Sequence, residues 1–213
     1  MDLALARFEI EKIQTETDPV ILMVKLSSLI GRVFQERGGY EMVVVGGSAI
    51  ELYTEGEYMS GDVDMTWKIK RPPLVEIQTV MREMGAIGGP RNFQIAGIFV
   101  DLLGPVETEA RTPFYVIQGP YGPVNLIQPE QLLCERILVA KGWPSPDEKA
   151  LKCAQVLMLA CVSGSIRVDW KEAKRVAESP EYQVSHLFEE IKLEMTRQWE
   201  ANSANLPNHE ECK

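Results

Sequence analysis

The sequence predicts an α+β protein, a mixed β-sheet flanked by helices with a helical lobe behind it. Three observations carry this. Short apolar runs bounded by glycine and proline recur from Met42 to Ile127 and read as strands. Helical patterns are interleaved with them, at 18–38 and 72–85. After Pro129 the apolar spacing turns helical and stays so. The division is therefore placed at residues 1–127, a mixed α/β core, and 128–213, a helical lobe.

The elements follow in order. Asp18-Pro19 is a helix start, with Asp as N-cap and Pro at the first helical position. Leu22, Leu26, Leu29, Ile30 and Val33 mark one face, and Gly38-Gly39 ends the helix. Met42–Val45 is an apolar strand, followed by a Gly46-Gly47-Ser48 turn and a short helix from Ala49 to Tyr53. Glu55–Gly61 reads as a loop and Asp62–Lys68 as a strand. Pro72-Pro73 opens a helix with Leu74, Ile77, Met81 and Met84 on one face. Arg91–Ile95 and Gly97–Leu103 read as a hairpin, as do Thr112–Ile117 and Val124–Ile127, the latter closed by Gly119-Pro120-Tyr121-Gly122-Pro123. In the lobe, Leu133, Ile137 and Ala140 face one way. A helix starting near Pro146-Asp147 carries Leu151, Ala154, Leu157, Met158 and Cys161 as its stripe. Short and long helices are expected at Trp170–Glu178 and Tyr182–Trp199, and a frayed tail over Asn202–Lys213. No element is assigned before Asp18.

Composition narrows the function. The 213 residues are 45% apolar, with 31 acids against 22 bases and a net charge of −9. That length allows one domain or two small ones. An acidic chain is a poor general binder of nucleic acid, whose affinity comes mainly from Lys and Arg. Local basic candidates are Lys68, Lys70 and Arg71, and then Arg136, Lys141, Lys149 and Lys152. The cysteines, Cys134, Cys153, Cys161 and Cys212, lack metal-ligand spacing, and the first three read as core. His186 and His209 have no triad partner in the pattern. Charges interrupt Met1–Ile13, so no signal peptide is read there. The apolar stretch Val156–Val162 is too short to span a bilayer. The expectation is a reduced, cytoplasmic protein with no membrane contact.

The chemistry concentrates in two motifs. Gly46-Gly47-Ser48 stands where a strand hands over to a helix, and free N–H groups with a helix dipole suit a phosphate there. Asp62 and Asp64 alternate on a strand, so both carboxylates leave one face. Two hard oxygen ligands suit a Mg²⁺ that also binds substrate phosphates. The dinucleotide fingerprint requires a third glycine and a single later acid, and the phosphate-loop pattern ends in Gly-Lys-Ser/Thr; neither is present. A third acid, Asp101, lies in the apolar strand Gly97–Leu103 and needs a partner there. Two partners are open: a salt bridge with Arg91, or a shared metal site with Asp62 and Asp64 on a neighbouring strand, where one carboxylate could take a proton from an attacking hydroxyl.

Val45-Gly46-Gly47-Ser48-Ala49-Ile50-Glu51-Leu52 and Ser60-Gly61-Asp62-Val63-Asp64-Met65 resemble the signature of the nucleotidyltransferase superfamily. They are most similar to the AbiEii-like group, the toxin half of abortive-infection toxin–antitoxin systems. The resemblance covers Met42 to about Leu103 and extends weakly through Val124–Leu133. It implies a nucleotidyltransferase-like fold, phosphate binding by Gly47 and Ser48, Mg²⁺ on Asp62 and Asp64, and Asp101 as third acid. It also implies transfer of a nucleoside monophosphate from an NTP to an acceptor hydroxyl, on tRNA, a protein or a small molecule, with an antitoxin as partner. Tyr58-Met59 stand where that group commonly has an arginine. The Lys-Asp element of its helical half is absent, and Asp147 is the nearest acid to stand in. Arg136 and then Lys149 are the candidates to contact the triphosphate. The alternative reading is a non-catalytic nucleotide- or partner-binding module on the same fold.

Overall fold

The computed structural model describes residues 1–142 and 145–204. These fall into two compact units, Met1–Gln128 and Pro129–Lys213. Cys212 and His209 lie outside the described residues.

The first unit is built on a seven-stranded mixed sheet. Its strands are β1 (Met42–Val44), β2 (Asp62–Trp67), β3 (Ile87–Gly88), β4 (Asn92–Ile95), β5 (Ile98–Pro105), β6 (Tyr115–Gly119) and β7 (Gly122–Leu126). Their order is β3-β4-β5-β2-β1-β7-β6. β2 lies between β1, which runs antiparallel to it, and β5, which runs parallel. Both expected hairpins form, β4–β5 and β6–β7. Alternation sets the faces: Val63, Met65 and Trp67 of β2 and Val100 and Leu102 of β5 are buried, while Asp62, Asp64 and Asp101 are half-buried.

Four helices belong to this unit: α1 (Leu3–Ile13), α2 (Pro19–Gly38), α3 (Gly46–Tyr53) and α4 (Leu74–Glu83). α2 starts and ends as its sequence dictates. The Asp18 side chain accepts from the Ile21 N–H, and Gly39 closes the helix in the left-handed region at φ 67°. Its buried face holds Phe34, which meets Trp67 edge-on with ring centroids 5.0 Å apart.

Three expectations are corrected. α1 had no counterpart in the sequence reading; Asp2 caps it, and Leu3, Ala6, Ile10 and Ile13 form its buried stripe. α3 begins at Gly46, not Ala49, because the Ala49 N–H donates to the Val45 carbonyl and so takes both glycines into the first turn. In α4, Leu74 is 43% exposed and Val80 takes its place beside Ile77 and Met81.

The second unit is helical: α5 (Pro129–Lys141), α6 (Glu148–Val162), α7 (Trp170–Ala177) and α8 (Ser185–Ala204). α5 and α6 carry Cys134, Cys153 and Cys161 in its core. Burial pushes the Cys134 and Cys161 thiols up to about 12, the behaviour of packed, unreactive cysteines. Among the described residues no helix is long and apolar enough to cross a membrane.

Candidate active site

α3 opens without a cap. Its N-cap position is Val45, whose side chain makes no capping hydrogen bond, and Gly46 follows in the left-handed region at φ 62°. The first i→i−4 bond is that of the Ala49 N–H to the Val45 carbonyl, at 3.2 Å. The Gly46, Gly47 and Ser48 N–H groups precede it, so the positive end of the helix is carried by backbone alone.

Gly46 is required twice over. A Cβ there would stand 2.7 Å from Oδ2 of Asp64, and its φ is one that L side chains rarely adopt. The absence of that Cβ is what lets the Asp64 carboxylate lie against the start of α3. At Gly47 a Cβ would stand 2.7 Å from the Ser60 hydroxyl.

Ser48 ties the helix to the strand. Its hydroxyl is buried, donates to the Asp62 carbonyl at 3.1 Å and accepts from the Asp64 N–H at 2.8 Å. The Val45 N–H donates to the Asp64 carbonyl at 3.0 Å. The Ser48 side chain therefore fixes the aspartate strand, and what it has left to offer a phosphate is its backbone N–H.

The register puts the three acids side by side. Asp64 pairs with Asp101 and Asp62 with Phe99 across the parallel β2–β5 ladder, so Asp62, Asp64 and Asp101 share one face. Asp101 does not pair with Arg91, which is exposed. Its Oδ1 accepts from the Asn92 side-chain amide at 2.6 Å, Asn92 lying directly opposite on β4. Oδ1 of Asp62 accepts from the Ser60 hydroxyl at 2.5 Å. Neither Asp62 nor Asp101 is ion-paired with a Lys, Arg or His among the described residues. Like charges at adjacent positions of a sheet are destabilising. A divalent cation is the kind of ligand that relieves them.

Among the described residues no three His, Cys, Asp or Glu side chains converge as a ready metal cluster. Mg²⁺ does not need one, since it commonly takes one or two carboxylates plus water and substrate phosphates. The donor set of Asp62 and Asp64, beside a helix start kept open by glycine, fits that mode.

Arg136 and Lys149 belong to the second unit. Arg136, on α5, is ion-paired with Glu135 at 2.5 Å, and its Nε is buried without a hydrogen-bond partner. Lys149 is exposed in the first turn of α6. Asp147 is the N-cap of α6, accepting from the Ala150 N–H at 3.0 Å. In the basic run after β2, Lys68 pairs with Glu41 at 2.7 Å and Lys70 sits over the Tyr40 ring, while Nε and one terminal nitrogen of Arg71 are buried without a hydrogen-bond partner.

A cavity of about 440 Å³ lies against the opposite face of β2, lined by Ser27 and Gly31 of α2 with Met42, Met65 and Val124. No acid of the carboxylate face lines it. The cavity and the half-buried carboxylate face thus lie on opposite sides of β2.

The fold is similar to that of an antigenic nucleotidyltransferase-like protein from Paracoccidioides brasiliensis, with a TM-score of 0.53 at 13% identity over 85% of this chain and 91% of that one. A solution structure of the antibiotic-resistance factor ANT(2'')-Ia gives a TM-score of 0.46 at 12% identity, over 85% of this chain and 97% of that one. A crystal structure of ANT(2'')-Ia in complex with adenylyl-2''-tobramycin gives 0.44 at 14%, over 82% and 98%. No family model matches the sequence, and no curated protein resembles it at the level of sequence. At these identities the likeness is one of fold: the chain has a nucleotidyltransferase-like mixed sheet flanked by helices.

Proposed function

We propose that the protein is a Mg²⁺-dependent nucleotidyltransferase, moving a nucleoside monophosphate from an NTP to an acceptor hydroxyl and releasing pyrophosphate. One observation carries this reading. An uncapped helix start, opened by Gly46 and Gly47, abuts a sheet face bearing Asp62, Asp64 and Asp101 with no cation of the described residues paired to Asp62 or Asp101.

The backbone N–H groups of Gly46, Gly47 and Ser48 hold the triphosphate at the positive end of α3. Asp62 and Asp64 hold Mg²⁺, which when bound neutralises charge on the phosphates and on the leaving group. Ser48 keeps both carboxylates aimed through its two bonds to β2. Asp101 accepts the proton of the acceptor hydroxyl, its other oxygen being held by Asn92. Arg136 and Lys149 are the second unit's candidates for the triphosphate.

The acceptor is left among tRNA, a protein side chain and a small polyhydroxylated molecule. On the finer reading the protein is an AbiEii-like toxin restrained by an antitoxin. The residues supporting it are Val45–Leu52 and Ser60–Met65. A neighbouring reading frame whose product co-purifies with the protein and blocks transfer tests that branch. A second reading, a non-catalytic nucleotide-binding module, is favoured by the engagement of Arg136 with Glu135 and of Asp147 as a helix cap.

Incubation with each α-labelled NTP and Mg²⁺, against total tRNA, cell protein and aminoglycosides in turn, separates the two. The transferase reading expects label in one acceptor class, lost in EDTA. NTP binding that requires Mg²⁺ but yields no labelled acceptor selects the binding module. NTP affinity unchanged by EDTA removes the metal site.

A further inference from the structure

Glu51 is only 1% exposed in the middle of α3. A buried carboxylate is costly unless its oxygens are bonded. Its Oε2 accepts from the Ser60 N–H at 2.6 Å. Ser60 in turn donates its hydroxyl to Oδ1 of Asp62 at 2.5 Å. The same hydroxyl lies over Gly47, where a Cβ would come within 2.7 Å of it. The intervening loop is stitched to α3 at further points: the Gly56 N–H donates to the Glu51 carbonyl at 3.0 Å, and the Tyr58 N–H to the Thr54 hydroxyl at 3.3 Å.

We infer that Glu51 and Ser60 are positioning residues for the carboxylate site. Glu51 anchors the Ser60 backbone from inside α3. Ser60 holds one oxygen of Asp62 and leaves Oδ2 for a divalent cation. The inference rests on the nucleotidyltransferase reading of the site and adds to it two residues that touch neither substrate nor metal. The physical gain is preorganisation: a carboxylate already held in one rotamer loses less freedom when it takes up a metal. Glu51 needs its oxygen more than its charge here, because the bond it accepts comes from a neutral amide. That separates its role from general electrostatics.

Mn²⁺ binding to the intact protein, followed by electron paramagnetic resonance with and without a non-hydrolysable NTP analogue, tests the clamp without any turnover. Ser60→Ala should weaken Mn²⁺ binding by about tenfold, the scale on which outer partners of metal ligands act. Glu51→Leu should do the same, whereas Glu51→Gln should bind like wild type, since its amide oxygen accepts the same N–H. Hydrogen exchange gives an independent readout. The Ser60 amide should be protected in the wild type and Glu51→Gln and fast in Glu51→Leu. If Glu51→Leu fails to fold, Ser60→Ala at a loop position carries the test. Ser60→Ala binding Mn²⁺ as tightly as wild type overturns the clamp and leaves the site reading standing. Glu51→Gln as weak as Glu51→Leu overturns the hydrogen-bond anchor. A wild-type protein that takes up no Mn²⁺ overturns the site reading, and the clamp with it.

Discussion

Helices α2 and α3 lie in the same unit and begin in opposite ways. The first turn of α2 is closed: Asp18 accepts from the Ile21 N–H at 3.0 Å, and Glu16 accepts from the Thr17 and Asp18 N–H groups. The first turn of α3 has no side-chain cap and a left-handed glycine instead. A cap contributes about 0.5–2 kcal/mol, so α3 forgoes stability that α2 takes. The start of α2 reads as construction. The start of α3 leaves its backbone N–H groups uncapped, and the Ser48 hydroxyl ties it to the backbone of Asp62 and Asp64. The difference teaches that missing stabilisation, set beside the Asp62 and Asp101 carboxylates that pair with no Lys, Arg or His among the described residues, is a sharper pointer to chemistry than any single motif.

The largest effect should come from the α3 side of the comparison. Asp62→Ala and Asp64→Ala should lower transfer by at least about a thousandfold, the upper scale for losing a preorganised charge stabiliser. Asp62→Ala should melt near the wild-type temperature without metal, because it removes a like-charge neighbour of Asp64 and Asp101. A large fall in its melting temperature would make Asp62 a structural acid instead. Next come two glycines with nearly the same φ. Gly39, closing α2, has φ 67° and open space within 4 Å of where a Cβ would stand, while Gly46 has φ 62° and Asp64 at 2.7 Å from that point. Gly39→Ala and Gly46→Ala should each cost about 1–2 kcal/mol in left-handed strain. Only Gly46→Ala should also lose Mg²⁺-dependent NTP binding. Equal NTP binding by both variants would reduce Gly46 to a turn residue.

How much of this the sequence carried depends on the range of the interaction. The Asp18-Pro19 start and the alternation of Asp62 and Asp64 are local, and the structure places them as the sequence suggests, whereas the Gly46-Gly47-Ser48 turn is taken into α3. Asp101 was legible as an acid in an apolar strand, but its partner was not. Asn92 stands opposite it only because β4 and β5 pair in one register, and Arg91, one residue away, was the alternative partner weighed. Glu51 carries the signal that flagged Asp101, a lone acid among Ala49, Ile50 and Leu52, and that signal went unread. The role of the Ser48 hydroxyl was not legible, because only the folded α3–β2 contact takes it into the strand backbone. α1 was legible as well: Leu3, Ala6, Ile10 and Ile13 recur at helical spacing with Arg7, Glu9, Glu11 and Lys12 between them, and α2 and α4 receive that stripe.

Asp101→Asn probes the sheet side of the open start. The amide oxygen of Asn can still accept from Asn92, so shape and one bond survive while the charge goes. Turnover should fall by roughly a hundredfold, within the usual range for losing a general base, with NTP affinity little changed. Single-turnover rate and melting temperature taken on one preparation decide the matter. A loss of stability with turnover intact would reduce the carboxylate set to Asp62 and Asp64.

The smallest effect lies at the closed start of α2. The Glu16 carboxyl is held down at about 2, first by its bond to the Lys25 ammonium at 2.6 Å, then by the Asp18 and Thr17 N–H groups. A folded-state value below the unfolded one means stability that is fully present above the unfolded pKa of about 4.5 and is lost as pH falls from there towards 2. Glu16→Gln removes that titration but keeps an acceptor for the two N–H groups. Its melting temperature should therefore sit slightly below wild type at about pH 7, and the gap should narrow steadily below pH 4.5. Added salt should narrow it too, since Lys25 and Glu16 are both partly exposed. A gap that persists undiminished at about pH 3 and in high salt would mean that the carboxylate charge does nothing for the α2 start. The contrast with α3 would then rest on the Asp18 cap alone.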